Sequence, residues 1–438
     1  MKIIDEILKI EQESNLFDIE NKQGLKVWEA IRYCVNTQIL RHTRPILEHS
    51  KRSNNSTYLF SLKRMWNFFL YSVTHYRRNT LLILCSRSIT QDQYCDIIMD
   101  ELYGISNKKD IFVIETSFNW DKNNYKYGKV CPSLTTLVMR LLKTKYDFSE
   151  ILYIMKKSFP YVEFDVDEID SYYNLFVSQY RFYNLFFKLF RFKKVFFVQN
   201  GICKGLIAAA KKNKVSIMEL QHGQISRNHF AYSYPQGINI ALYNPDYLLT
   251  FGPLWLKDST FPDVNVLPIG NNFYCYKYTD VGESKKNILV VSSVIHYKQL
   301  RELVKNISTL DSSFHFFYKL HPDEYKTYNE YVDFFYGVNN VEVIKNEQSI
   351  SELIYKSDLS LVVQSTVMVE TLNAGKRVFV YRVLDYEVMD FLYQEPGISF
   401  VDDARSFIEK YINIGDVDLP VGRFFMPFDK ETATKLLN

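Results

Sequence analysis

The sequence predicts an α/β protein made of two doubly wound, Rossmann-like domains in tandem, with extra helices at its N-terminus. Three observations predict it. Short, continuous apolar runs recur from Leu81 onward, helical stretches of suitable length separate them, and the alternation pauses once in a polar segment before starting again. Apolar strands alternating with helices mean a parallel sheet covered on both faces.

The 438 residues are too many for one ordinary core and enough for two. Residues 1–80 read as a helical region. Its opening, MKIIDEILKIEQESN, has an amphipathic helical period and acidic residues, unlike a signal peptide, and SKRSNNS at 50–56 is a polar break. A first β-α series occupies 81–270, with strands in LLILCS, IFVIE (111–115), VFFVQN (195–200), VSIMELQHG (215–223) and DYLLTFG (246–252). GICKGLIAAAKKNK is its clearest helix. A polar linker at 271–286 follows. The second series, 287–438, places strands in NILVVSS (287–293), FHFFYKLHP (314–322), VEVIK (341–345), DLSLVVQST (358–366) and RVFVYR (377–382). Two such domains facing each other form a cleft, with ligands expected at the carboxyl ends of the strands.

Bulk composition narrows the function classes. Hydrophobic residues make up 47% and charged residues 24%, a folded-protein balance. A net charge of +3 gives no global reason to expect nucleic acid as a partner. The six cysteines form no CxxC pair, which leaves a zinc knuckle unsupported and fits a reduced, cytoplasmic setting. No run reaches the roughly 18 apolar residues of a membrane span. Two basic aromatic runs, LFSLKRMWNFFLYSVTHYRR (59–78) and YYNLFVSQYRFYNLFFKLFRFKK (172–194), fit either core helices with a solvated basic edge or a peripheral contact with the inner face of the cytoplasmic membrane. The 16% aromatic content is as well explained by a biased base composition as by sugar stacking, so Tyr232, Tyr234 and Tyr243 are weak candidates for an acceptor platform.

Polar residues follow the strands where chemistry is expected. Lys319, His321 and Pro322 end one strand of the second domain. The turn Gln364-Ser365-Thr366 opens a helix whose N-terminus would favour an anion such as a phosphate. Glu370, one turn on, is placed for ribose hydroxyls, and Gly375 is the expected helix C-cap. Ser292 and Ser293 follow the first strand of that domain, as phosphate contacts or as loop and cap residues. In the first domain MELQHGQISRNHFAY ends a strand with Glu219, Gln221, His222 and Gly223, and Arg227 and His229 extend the polar wall. His222 suits a general base because imidazole titrates near neutrality, or it satisfies backbone groups in a tight turn. Glu219 would orient it or replace it. FDVDEID (164–170) reads as a helix start, not a metal-binding DxD, and no P-loop, G-x-S-x-G or HExxH is present.

KLHP and QSTVMVETLNAGKRVFVY resemble the donor-binding half of GT-B glycosyltransferases, especially bacterial sialyltransferases, capsule-type transferases with an HP motif, and the CDP-polyol phosphotransferases of teichoic acid synthesis. The resemblance covers roughly the last 150 residues; QHG resembles the histidine-glycine element of the same enzymes. It implies a GT-B enzyme that moves a sugar from a nucleotide-activated donor, leaning toward a CMP-linked one, onto a glycan or glycolipid acceptor of a surface polysaccharide (capsule or lipopolysaccharide O-antigen), without metal or cofactor. It also implies that His321, Ser365 and Thr366 contact the donor and that His222 stands near the acceptor. Two other enzyme classes share features of this pattern. The 2-epimerases of sugar nucleotides carry a Ser-Gly-Gly element with paired glutamates where this chain has Thr366, Val367 and only Glu370. Polyol phosphotransferases share HP and HG but have an acidic-Tyr-Ser-Ser element in place of Gln364-Ser365-Thr366. A non-catalytic sugar-nucleotide-binding assembly protein is the third alternative.

Overall fold

The computed structural model describes residues 2–43, 62–86, 88–90, 93–116, 125–128, 131–237, 243–255, 260–275, 286–383 and 386–438. Within them the chain divides into two compact units, the first spanning 1–251, 255–271 and 428–438, the second 252–254 and 272–427.

Unit 1 is built on a seven-stranded parallel sheet: β1 (Thr80–Leu84), β2 (Ile111–Glu115), β3 (Cys131–Pro132), β4 (Lys194–Val198), β5 (Ser216–Leu220), β6 (Tyr247–Thr250) and β7 (Asn265–Pro268). Its order is β3-β2-β1-β4-β5-β6-β7, so strand order reverses between β1 and β4. Alternate residues serve opposite faces, as the strand period requires: Val195 and Phe197 of β4 join one apolar cluster and Phe196 the other. The first face is covered by α1 (Lys2–Glu13), α2 (Val27–Thr43), α3 (Leu62–Thr74), α4 (Val166–Phe190) and α5 (Lys204–Lys212). Asp165 caps α4, accepting a hydrogen bond from Glu168 N, so FDVDEID is a helix start as expected. Helix α5 lies close to α4 because residue 205 is glycine; a Cβ there would stand 2.1 Å from the Phe176 carbonyl oxygen.

Unit 2 holds a six-stranded parallel sheet: β8 (Asn287–Val291), β9 (His315–Lys319), β10 (Val341–Ile344), β11 (Leu359–Val362), β12 (Arg377–Tyr381) and β13 (Ile398–Val401). The order β10-β9-β8-β11-β12-β13 reverses between β8 and β11. Helices α6 (Tyr297–Leu310), α7 (Ile350–Lys356), α8 (Val367–Asn373) and α9 (Ala404–Ile412) complete it. Gly375 takes the left-handed conformation after α8 (φ 73°), and its N–H returns to the Leu372 carbonyl at 3.0 Å. It is the C-cap the sequence implies. The tandem of doubly wound Rossmann-like units is therefore present.

Domain limits differ from the expected ones in two ways. The N-terminal helices do not stand apart: Ile4, Ile7, Trp28 and Ile31 are buried in the unit 1 core. The last helix, α10 (Lys430–Leu437), belongs to unit 1 and not to the 287–438 domain. Its Ala433 is buried among Leu82, Leu84 and Met99, and Asp429 N donates to the Ile269 carbonyl at 2.7 Å. Of the expected linker, 276–285 lies outside the described residues, as do the polar break at 50–56 and the start of the first basic aromatic run.

Candidate functional site

In unit 1 the residues expected to carry chemistry lie at the carboxyl ends of β4 and β5. Val198 and Leu220 are paired across these strands, so Gln199-Asn200 and Gln221-His222 emerge side by side. Gln199 is held in the left-handed region (φ 68°, ψ 68°), an uncommon conformation for a residue with a side chain. Next to it the Asn200 N–H donates to Glu219 Oε1 at 2.8 Å, and the Tyr232 hydroxyl donates to the same oxygen at 2.7 Å. Glu219 is completely buried, and its other oxygen has no hydrogen-bond partner among the described residues. Burial pushes its carboxyl up to about 7 against the opposing pull of those two donors and the nearby Lys204 charge. A carboxyl so placed exchanges a proton at neutral pH.

Most of the neighbouring residues are consumed by the fold. His222 is half-buried and close enough to His229 for its charge, after burial, to help push the His229 imidazole down to about 4. His229 Nδ1 accepts from Ala231 N at 3.2 Å, and its ring lies 4.9 Å from that of Tyr232. His229 is thus a neutral packing group at ordinary pH. Gln221, expected on the acceptor wall, is buried; its amide donates to the Gly223 carbonyl at 2.8 Å and accepts from Phe251 N at 2.8 Å. Arg227 is exposed and paired with Asp5 of α1. Tyr232, Tyr234 and Tyr243 are buried, with their hydroxyls bonded to Glu219, Asn244 and the Lys26 N–H, so no ring is left to stack on a sugar.

Sequence reasoning missed the frame that holds this segment. Arg32 of α2 is buried and grips buried Glu11 of α1 through Nε (2.6 Å) and Nη2 (2.8 Å), while Trp28 Nε1 donates to Glu11 Oε1 at 3.1 Å. The same guanidinium donates to the carbonyls of Phe230 and, at 2.6 Å, Ser233, and lies 4.4 Å from the Tyr234 ring centre. Lys204, first residue of α5, is buried and donates to the Tyr234 hydroxyl, the Tyr243 carbonyl and Asn244 Oδ1 at 2.9–3.1 Å, with Glu29 3.6 Å away. Its pKa is lowered and that of Glu29 raised, in both cases chiefly by burial. Two acids and two cations from the N-terminal helices and α5 thereby clamp residues 230–234. The partners lie up to 201 positions apart in sequence, and no local motif announces them.

In unit 2 the strand ends surround the reversal between β8 and β11. Ser292 Oγ donates to Glu324 Oε1 at 3.0 Å, and Tyr331 OH donates to the same oxygen. Ser293 accepts from His296 N at 3.4 Å. Lys319 is buried and donates to the carbonyls of Gln348 (2.8 Å) and Lys345. These three side chains, expected on the donor, are engaged in holding loops. His321 is different. Its Nδ1 accepts from Asp323 N at 3.2 Å, opening the turn that Pro322 begins, while Glu324 Oε2 accepts from His321 N at 2.9 Å. With Nδ1 accepting, the proton of the neutral ring sits on Nε2, and the ring is about half exposed (48%). Ser365 Oγ accepts from Val367 N at 3.2 Å, so it caps its own two-turn helix; Thr366 is exposed. Glu370 is half-buried with no hydrogen bond to its carboxyl among the described residues, and desolvation alone pushes it up to about 7. Of the residues expected on the donor, His321 and Thr366 are exposed or half-exposed, and Glu370 has no hydrogen bond among the described residues. Among the described residues no group of three or more His, Cys, Asp or Glu is placed to hold a metal ion.

The fold and these strand ends define a two-unit α/β protein of Rossmann type. No family model and no curated protein matches the chain. Solved structures similar to it include the UDP-GlcNAc 2-epimerase from Methanocaldococcus jannaschii (13% identity, 82% of this chain and 99% of that one, TM-score 0.47). The UDP-GlcNAc 2-epimerase from Neisseria meningitidis bound to UDP-GlcNAc (14%, 76% and 90%, 0.45) and the glycotransferase of kitacinnamycin (10%, 77% and 90%, 0.44) are also similar. At scores below 0.5 these likenesses assign neither an activity nor a residue role to this chain.

Proposed function

We propose that the protein is a glycosyltransferase acting in the cytoplasm, which moves a sugar from a nucleotide-activated donor to a glycan or glycolipid acceptor of a bacterial surface polysaccharide. One observation carries the reading: each doubly wound unit holds a carboxyl raised to about 7, Glu219 near the carboxyl end of β5 in unit 1 and Glu370 one turn into α8, the helix that follows β11, in unit 2. Raised carboxyls at strand carboxyl ends mark sites where protons or ligand hydroxyls are handled. The likeness of KLHP and QHG to donor and acceptor elements of surface-polysaccharide transferases supports the assignment of roles.

In this reading unit 2 carries the nucleotide, with His321 Nε2–H donating to phosphate, Thr366 adding a hydroxyl, and Glu370 accepting from the ribose. Unit 1 supplies the base. The acceptor oxygen forms the new bond to the sugar's anomeric carbon while the bond from that carbon to the donor phosphate breaks. The acceptor's proton passes to Glu219 or His222, and the nucleotide leaves as the anion, stabilised by hydrogen-bond donors without a metal.

A thermal-shift series with CMP, CDP, UDP, GDP and dTDP tests the donor half. Stabilisation by one nucleotide, by roughly 2.7 kcal/mol at a hundredfold excess over its Kd, is expected in the native chain and is reduced in His321→Ala and Glu370→Gln. A flat response to all five nucleotides refutes the assignment.

A further inference from the structure

The two basic aromatic runs have different fates in the fold. That of α4 is largely interior, with Phe182, Phe186, Phe187 and Phe190 packed against other rings. Helix α3 packs by one face only, on α4 through Phe68 (6.1 Å from the rings of Phe182 and Phe186) and on β2 through Tyr71 (5.0 Å from Phe112). Its opposite face carries Met65, Trp66, Phe69, Leu70 and Val73, spaced as one helical stripe and all exposed (Trp66 by 60%, Phe69 by 56%, Val73 by 60%), and Tyr76 in the turn that follows the helix is exposed too. Leu185 and Leu189 of α4 are exposed as well, with exposed Lys188 between them. Single exposed apolar residues need no explanation, but a continuous aromatic stripe does.

Charge identifies what covers it. The three neighbouring segments 62–78, 133–146 and 171–194 hold twelve Lys and Arg residues and no Asp or Glu, in a chain whose whole net charge is only +3. They are joined in space: α3 on α4 through the rings above, and 133–146 on α4 through Arg181 Nη1, which donates to the Leu142 carbonyl at 2.9 Å. Arg77 extends the stripe, its guanidinium 5.6 Å from the Tyr76 ring centre. A second copy of the chain would set cations against cations across a symmetric contact. Rings that bury at the acyl boundary, ringed by cations that meet lipid phosphates, match an anionic bilayer surface. Among the described residues no helix is long and apolar enough to cross a membrane, so the contact lies in the interface plane.

We propose that the α3 face docks the protein onto anionic lipid. The inference is independent of the catalytic reading, and nucleotide binding is measured beside it so that the two fail separately. The whole chain is mixed with extruded vesicles of phosphatidylcholine alone or with 30% phosphatidylglycerol and sedimented. Binding to the anionic vesicles at least tenfold tighter than to the neutral ones, weakening as salt is raised, is expected. The triple variant Trp66→Ser/Phe69→Ser/Val73→Ser should lose at least tenfold in partitioning, with unchanged circular dichroism and melting temperature because all three side chains are exposed. Lys188→Glu/Arg77→Glu should lose the preference for anionic vesicles specifically. Equal sedimentation of native and triple-variant protein overturns the proposal. So does concentration-dependent dimerisation that the triple variant abolishes, which would make the stripe a self-contact.

Discussion

Glu219 and Glu370 reach the same pKa, about 7, by different routes. Glu219 is completely buried and compensated on one oxygen by Asn200 N and the Tyr232 hydroxyl. Glu370 is only half-buried, yet nothing in the described fold donates to it. The difference separates two kinds of site. Unit 1 builds its carboxyl into a fixed network of backbone and side-chain donors, so its proton affinity is a property of the fold. Unit 2 leaves its carboxyl bare in the first turn of α8, where a ligand's hydroxyl groups would supply the missing hydrogen bonds and draw its pKa down.

The sharpest test of that contrast is turnover. Glu219→Gln keeps the acceptor oxygen for Asn200 N and Tyr232 but removes the base, and should lower kcat by about 10²–10⁴ with nucleotide affinity unchanged. His222→Ala run beside it decides which of the two takes the proton; the variant with the smaller loss is the positioning group. If neither loses activity, the unit 1 assignment breaks. A second measurement addresses the frame. Arg32→Ala leaves buried Glu11 without its bidentate partner, which should cost about 3–5 kcal/mol in denaturant unfolding. A loss below about 1 kcal/mol would show that the clamp on 230–234 is carried by Lys204 alone.

On the unit 2 side, His321→Ala should weaken nucleotide binding by roughly tenfold, the worth of one charge-assisted hydrogen bond, without altering stability. Glu370 adds a pH signature. The free site holds a proton below about pH 7, and a ligand that donates to the carboxylate must displace it. Nucleotide affinity should therefore fall as pH drops below 7, by up to about tenfold per unit, and Glu370→Gln should flatten the profile. Titration calorimetry in two buffers of different ionisation enthalpy reads the released proton directly.

A further expected effect concerns Glu219 and stability. Its folded pKa lies above the ordinary 4.5, so the folded chain holds a proton that the unfolded chain releases. The associated stabilisation is complete below about pH 4.5 and is lost as pH rises to about 7, with a slope of at most about 1.4 kcal/mol per unit. Glu219→Gln should remove that component from the pH dependence of the unfolding midpoint.

Much of this organisation was legible in the sequence, because buried parallel strands are written as continuous apolar runs. IFVIE is a strand over the very residues read as one, and the other nine runs each contain a strand. In the two main sheets the strands that escaped notice are β3, β7 and β13, all at sheet edges, and the short antiparallel pair Ser88–Thr90 and Gln93–Cys95 escaped as well. Asn265–Pro268 and Ile398–Val401 are only partly buried, so they lack the apolar run that marks an interior strand. Residue roles were less legible than residue positions. Glu219, His222 and His321 do stand at strand ends and Glu370 one turn into the helix after one, but Gln221, Ser292 and Lys319 stand at strand ends too, and their polar atoms are consumed by segments about thirty residues away in sequence. A strand-end polar residue looks the same whether it faces a ligand or a neighbouring carbonyl. Gln199 left the opposite gap: its left-handed backbone beside Asn200 carries no sequence signal, because glycine is the residue that announces such a turn.

The return of α10 to unit 1 also orders events in time. All of unit 2 lies between residues 252 and 427, whereas Ala433, Leu436 and Leu437 close an apolar cluster that began with β1. During synthesis from the N-terminus, the second unit has its whole sequence before the first does. The usual order, in which the leading domain is finished first, is reversed here. The nascent first unit lacks the Ala433, Leu436 and Leu437 edge of that cluster until the last helix emerges, after the whole of the second unit has been made.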